Sequence, residues 1–257
     1  MKSYHGHCLL GFLLLLAGTL RAQEYKTTVE NSKDAKLTLK DFVGDLPVEG
    51  YSGNEIIITS DRFNTPPDRA KGLKPVYPGG TDNTGMGISV EKKDGQIFIQ
   101  CLVPFGRDGD YKIKVPDNLS LKVMSGCERN SSVTVTNMKN EVEVNVCQSI
   151  KVRSSTGPLV LSNISGDIDV VFNEVNKDKP ISIVTVSGEI NVTLPANTPL
   201  DLKMKTINGS MYSDFDFPGD NKQMKRIGGS SVTFHSPNGG LDLNLTTVSG
   251  SIYLRKK

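Results

Sequence analysis

The sequence contains no tryptophan, aromatic residues make up only 6% of it, and histidine occurs three times. Two of the three, His5 and His7, lie near the start, which leaves His235 as the one histidine beyond residue 22. A histidine-rich metal site is therefore excluded, and a Ser-His-Asp triad would depend wholly on His235. Its setting, Val232-Thr233-Phe234-His235-Ser236-Pro237, reads as a strand end, so a surface or corner histidine is expected there. A long apolar run is lacking too. Leu9 to Leu20 is brief and broken by small residues, well short of the about 20 apolar residues that cross a bilayer. It follows Lys2 and precedes Leu20-Arg21-Ala22, so residues 1–22 read as a signal peptide. The expected mature chain, 23–257, is exported, soluble and without a transmembrane segment.

An excess of charge of either sign is also missing. Removing Lys2 and Arg21 with the leader leaves 28 basic residues against 28 acidic ones. No net charge is then available to drive binding to nucleic acid or to an anionic membrane, and neither is expected as a partner.

What the sequence has is repetition. Ser165-Gly166-Asp167-Ile168-Asp169-Val170 returns 22 residues later as Ser187-Gly188-Glu189-Ile190-Asn191-Val192. Ser-Gly gives the backbone freedom for a sharp corner, and the alternating polar and β-branched residues that follow give a strand. Looser copies stand at Asn208-Gly209-Ser210-Met211-Tyr212, Asn238-Gly239-Gly240-Leu241, Ser249-Gly250-Ser251-Ile252-Tyr253 and Asp94-Gly95-Gln96-Ile97. Between them, apolar pairs spaced by two arrive about every ten residues, as in Val133 and Val135 or Val142 and Val144. Two strands per period of about 20–22 residues predict an all-β, single-domain β-solenoid. A sandwich also has regular short strands, but its turns need not resemble one another. The polar alternates Asp169, Glu189 and Asn191 should face water while Ile168, Val170, Ile190 and Val192 stack inward. The closing Arg255-Lys256-Lys257 is expected to protect the edge of a last strand.

Residues 61–87 break the pattern with Pro66, Pro67, Pro75 and Pro78 and five glycines, and read as an inserted loop. Leu73, Val76, Tyr77 and Met86 give it something apolar to dock with. A cap over an open end of the stack is the leading expectation, with a ligand or partner loop and a mobile loop as the alternatives. For binding, the candidate residues are Tyr77, Asp82 and Asn83 in this loop and Tyr212 and Phe215 near a second polar cluster.

Candidate catalytic chemistry is sparse. Carboxylates one residue apart, as in Asp167 with Asp169, Glu141 with Glu143 and Asp214 with Asp216, share a strand face, but outward acids are also what solubility of an alternating strand requires. Asp214, Asp216 and Asp220 form a weak candidate Ca²⁺ site through oxygen ligands, with a spacing that matches neither an EF-hand nor a calcium-binding nonapeptide repeat. Gly79-Gly80 and Gly228-Gly229 lack the context of a phosphate loop. No cofactor is called for. Beyond Cys8, the cysteines are Cys101, Cys127 and Cys147. The last two are 20 residues apart, close to one coil, so they are either bridged by a disulfide or stacked as two thiols.

In the segment from Leu37-Thr38-Leu39 to Ile58, the loop from Gly72-Leu73-Lys74-Pro75 to Asp82-Asn83-Thr84-Gly85, and the Ser-Gly-x-Ile-x-Val repeats, the chain resembles the "putative adhesin" family of Gram-negative bacteria. The resemblance covers essentially all of 23–257. It implies an exported β-solenoid with a role in surface attachment and brings no catalytic set, so no residue role is carried over. The expected function is a non-enzymatic binding or adhesion-type module of the cell envelope, whose partner is an envelope protein or a glycan. A carbohydrate-active β-helix enzyme, lyase or hydrolase, is the alternative from another class, and a purely structural envelope protein is the third.

Overall fold

The computed structural model describes residues 23–61, 68–73, 75–104, 109–217, 222–225 and 229–257, with the backbone alone for 222–225. The signal-peptide expectation for residues 1–22 lies outside them. The N-terminal strands are β1 (Gln23–Thr28), β2 (Lys36–Lys40), β3 (Asp45–Tyr51) and β4 (Glu55–Ser60). After the loop come β5 (Ile88–Lys93), β6 (Gln96–Cys101), β7 (Tyr111–Pro116), β8 (Ser120–Met124), β9 (Ser132–Thr136), β10 (Val142–Val146) and β11 (Ile150–Arg153). Then follow β12 (Leu159–Ser165), β13 (Ile168–Val171), β14 (Ile181–Ser187), β15 (Ile190–Leu194) and β16 (Leu200–Asn208). The chain closes with β17 (Met211–Ser213), β18 (Lys222–Lys225), β19 (Ser230–His235), β20 (Leu241–Ser249) and β21 (Ile252–Lys256).

These strands form two large sheets. Sheet 1 runs β1-β4-β7-β3-β9-β11-β13-β15-β21-β17, and sheet 2 runs β18-β19-β16-β20-β14-β12-β10-β8-β2-β6-β5. From β8 to β15 the chain alternates between the sheets, and each strand pairs in parallel with the one two places on. Parallel register aligns like residues. On sheet 2, Ile99, Leu39, Val123, Val144, Leu161, Ile183, Leu245 and Met204 form one inward column, none more than 2% exposed. Ile113, Val48, Val135, Val152, Val170, Val192 and Leu254 form its counterpart on sheet 1. β-Branched and leucine side chains two apart on each strand thus supply one continuous core between the sheets, where truncating a single Ile to Ala costs about 2–5 kcal/mol.

The order of strands departs from the expected sequential stack at both ends. The strand pair β2–β3 lies between β6–β7 and β8–β9, and the last pair, β20–β21, lies between β14–β15 and β16–β17. Arg255 and Lys256 therefore lie on an internal strand, and the Lys257 N–H donates to Leu194 O at 2.8 Å, so the basic tail does not guard an edge. Antiparallel strands close the ends instead: β1 and β4 in sheet 1, β5 in sheet 2, and β18 and β19 at the opposite end of sheet 2. The Gly motifs divide accordingly. Ser165-Gly166, Ser187-Gly188, Ser249-Gly250 and Asn208-Gly209 are corners leading into sheet 1, whereas Asp94-Gly95 is a hairpin turn and Asn238-Gly239-Gly240 leads into sheet 2.

Cys127 and Cys147 are joined by a disulfide with a Cα–Cα separation of 4.9 Å, and Cys101 is free and buried. Arg129, two residues past Cys127, donates to the carbonyls of Asp41 and Val103 and ties this corner to the segments that follow β2 and β6.

The described part of the 61–87 loop closes the end where β1 and β5 are outermost. The Asn83 amide donates to Val90 O at 2.8 Å and accepts from Val90 N at 2.9 Å, completing the outer edge of β5 as another strand would. Gln23 Nε2 on β1 reaches Gly85 O at 3.2 Å, and Met86 is buried in the core. Leu73 and Val76, expected to dock, are 70% and 94% exposed.

Candidate functional site

At the opposite end of the stack, the four Ser/Asn-Gly corners lie on one another in the order Gly166, Gly188, Gly250, Gly209. Their backbones approach so closely that a β-carbon on Gly209 would stand 1.9 Å from Gly250 O. Buried threonines brace the corners: Thr247 donates to Gly188 O at 3.2 Å, and Thr206 to Gly250 O at 3.0 Å. This tight stacking fixes the register of the outward residues that follow each corner.

The second residue of each strand, the first to point outward, falls in one row on sheet 1: Asp169, Asn191, Tyr253, Tyr212. Asn191 donates to Asp169 Oδ1 at 3.2 Å, and Arg255 Nε donates to Asn191 Oδ1 at 3.0 Å. Tyr253 donates to Glu189 Oε1 at 3.3 Å, while the Arg255 guanidinium stands 5.2 Å from the centre of its ring. Tyr212 stacks on Tyr253 with ring centres 5.2 Å apart and planes 12° from parallel. Because β17 is the outermost strand of sheet 1, the far face of Tyr212 meets solvent, and the residue is 54% exposed. The corner is a stacked pair of aromatic rings with a hydrogen-bonded rim and a cation–π contact.

Phe215 sits differently. It packs against the core as a plug at the end of the sheets, with Lys256 Nζ 5.5 Å from its ring centre. Asp214 accepts from Lys256 N at 2.7 Å, and Asp216 pairs with Lys256 Nζ at 3.4 Å. Asp220, the third residue of the weak Ca²⁺ candidate, lies outside the described residues. Among the described residues no group of three His, Cys, Asp or Glu side chains is placed to hold a metal ion.

The loop candidates lie at the far end, so the two expected patches do not meet. Asp82 is a loop organiser: its carboxylate accepts from the N–H groups of Thr84, Gly85 and Gly87 at 3.0, 2.8 and 2.9 Å. Asn83 caps β5. Tyr77 is half-buried, its hydroxyl close to Gly87, in a turn bridged to Gly80. Beneath this loop Tyr111 donates to Met86 O, and burial, followed by the neighbouring Cys101, pushes its phenol well above the ordinary tyrosine range. The Cys101 thiol is raised by the same burial. His235 is an exposed strand-end residue 3.6 Å from Asp201, whose carboxylate also accepts from the Ser236 and Gly240 N–H groups. Asp167 accepts from the Glu189 N–H at 2.9 Å, and Glu143 pairs with Lys122 at 2.7 Å, so these acids link neighbouring strands.

Tyr253, Arg255 and Glu189 were absent from the sequence-level candidates. A signal existed: aligning Asn208-Gly209-Ser210-Met211-Tyr212 with Ser249-Gly250-Ser251-Ile252-Tyr253 puts the two tyrosines at one repeat position.

Two sheets of in-register strands, joined by stacked glycine corners and ending in an aromatic plate, define an all-β repeat protein. The chain belongs to the Toastrack DUF4097 family, whose profile matches residues 17–255. No curated protein matches it. Among solved structures, it is similar to a putative cell adhesion protein from Clostridium sporogenes, with 14% identity, a TM-score of 0.43, and coverage of 92% of this chain and 100% of that one. It is also similar to a putative adhesin from Bacteroides fragilis, with 12% identity, a TM-score of 0.33, and coverage of 92% and 97%. No helix among the described residues is long and apolar enough to cross a membrane.

Proposed function

We propose that residues 23–257 form one β-solenoid domain, exported under the signal peptide at 1–22, that acts as a non-enzymatic, adhesion-type binding module of the bacterial cell envelope. The solenoid reading is supported by the alternation of strands between the sheets and by their parallel, in-register pairing from β8 to β15. The binding reading rests on one observation, the half-exposed Tyr212 ring seated on Tyr253 at the open edge of sheet 1. A rigid aromatic held from behind loses little entropy on contact and offers a large face, which is what anchors interfaces. Its partner is an envelope macromolecule, protein or glycan.

The test is co-sedimentation of the purified 23–257 chain with isolated cell envelopes. Wild type should be retained, and Tyr212→Ala, which alters an exposed edge residue, should lose at least about tenfold in affinity while keeping its thermal melt. Equal retention of the two proteins would reject this face as the binding surface.

A further inference from the structure

The outer face of sheet 2 carries a second feature, at the end of the stack remote from Tyr212. Phe98 on β6 points outward and is 41% exposed, while its neighbours Ile97 and Ile99 turn into the core. Pairing sets Thr38 of β2 on one side of it and Glu91 of β5 on the other. Two residues along the strands, Gln100 lies between Lys40 and Ser89 in the same way. One aromatic ring is thus framed by five hydrogen-bonding side chains on a grid of about 4.8 Å across the strands and about 6.7 Å along them. They line a shallow cavity of about 230 Å³. The loop supplies a wall on the Gln100 side, where a β-carbon on Gly79 would lie 3.5 Å from Gln100 Nε2 and one on Gly80 4.0 Å from Ser89 Cβ.

We infer that this cavity binds an uncharged pyranose unit of a glycan, stacked on Phe98. The inference rests on the reading of the protein as a binding module and names a ligand class for a site distinct from the Tyr212 corner. A pyranose has an apolar C–H face bounded by hydroxyls that both donate and accept, which matches a ring enclosed by groups of both kinds. A purely apolar partner would bury the Glu91 carboxylate without a hydrogen bond, at a cost that opposes binding. A peptide adding as a strand is blocked at this edge, because Asn83 already occupies the N–H and C=O of Val90. Charge argues for a neutral sugar. Lys40 lies 3.8 Å from Asp41, which also accepts from Gln100 Nε2 at 3.0 Å, and Glu91 has no cation in ion-pair range among the described residues. A uronate at this position would meet the Glu91 carboxylate.

The experiment is saturation-transfer NMR and titration calorimetry of the 23–257 chain with cellohexaose, maltohexaose, hexa-N-acetylchitohexaose and hexagalacturonate. At least one neutral oligosaccharide should bind in the millimolar range or tighter, with hexagalacturonate weaker. Phe98→Ala should weaken that binding at least tenfold, Phe98→Tyr should retain it, Glu91→Ala should weaken it several-fold, and Tyr212→Ala should leave it unchanged. Silence of every neutral oligosaccharide, indifference to Phe98→Ala, or preference for hexagalacturonate overturns the inference. Tyr212-dependent envelope sedimentation alongside a silent panel rejects the sugar site and leaves the module reading standing. A silent panel together with no sedimentation rejects both.

Discussion

The carbonyl oxygen of Gly188 lies 2.0 Å from where a β-carbon on Gly250 would be placed. The obstacle is backbone, locked by the pairing of β20 with β14, and no rotamer change relieves it. Gly250→Ala should therefore cost about 3 kcal/mol or more, read by urea denaturation. Gly239→Ala is the control. Gly239 also has a positive φ, 73° against 145° at Gly250, but none of the described residues comes within 4 Å of the added carbon, so only about 1 kcal/mol of backbone strain is expected there.

The buried threonines under these corners should respond unequally to loss of the hydroxyl. Thr206 and Thr247 each donate to a corner carbonyl, so replacing either by Val should cost about 1–2 kcal/mol. Among the described residues Thr185 has no partner for its hydroxyl, because the equivalent carbonyl, Gly166 O, already accepts from Asn163 Nδ2 at 2.8 Å. Thr185→Val should be neutral or slightly stabilising in the same urea titration.

Reduction of the Cys127–Cys147 bridge removes a cross-link with a sequence separation of 20. On loop-entropy grounds the loss is about 3 kcal/mol, seen as a lower melting temperature in the presence of reductant and reproduced by a Cys127→Ser, Cys147→Ser double variant.

Tyr111 sets an alkaline limit. Burial raises its folded-state phenol above the ordinary value of about 10, so above that pH the unfolded chain loses a proton that the folded chain keeps. The unfolded state then binds fewer protons, and stability falls with rising pH, by up to about 1.4 kcal/mol per pH unit from this group. Stability titrations from pH 8 to pH 11 should show a shallower decline for Tyr111→Phe than for wild type, from a lower starting stability because the bond to Met86 O is lost.

Much of the middle of the fold is legible in the sequence for a physical reason. Parallel in-register stacking puts like residues on like, so Ser165 to Val170 and Ser187 to Val192 had to resemble each other once they became neighbours. The ends are harder to read because spatial order leaves sequence order there. Ser249 pairs with Ser187, 62 positions back, and with Asn208 on its other side. Nothing in either motif states which copy it will touch. The antiparallel caps β5, β18 and β19 carry no corner motif at all. At the sites, Tyr212 was legible as an outward residue of a repeat, but its pairing with Tyr253 follows from the insertion of β20–β21 beside β16–β17. Asp82 and Asn83 look like ligand groups in sequence because polar loop residues do. In the structure the carboxylate and amide satisfy backbone groups, a use that only the position of the β5 edge discloses.

Hydrogen–deuterium exchange of the 23–257 chain with and without isolated cell envelopes tests the central claim, that the protein binds through the Tyr212 end of sheet 1. The account predicts slowed exchange in residues 210–214 and 251–256. Unchanged exchange in both segments, with the protein nevertheless bound to the envelopes, would contradict it.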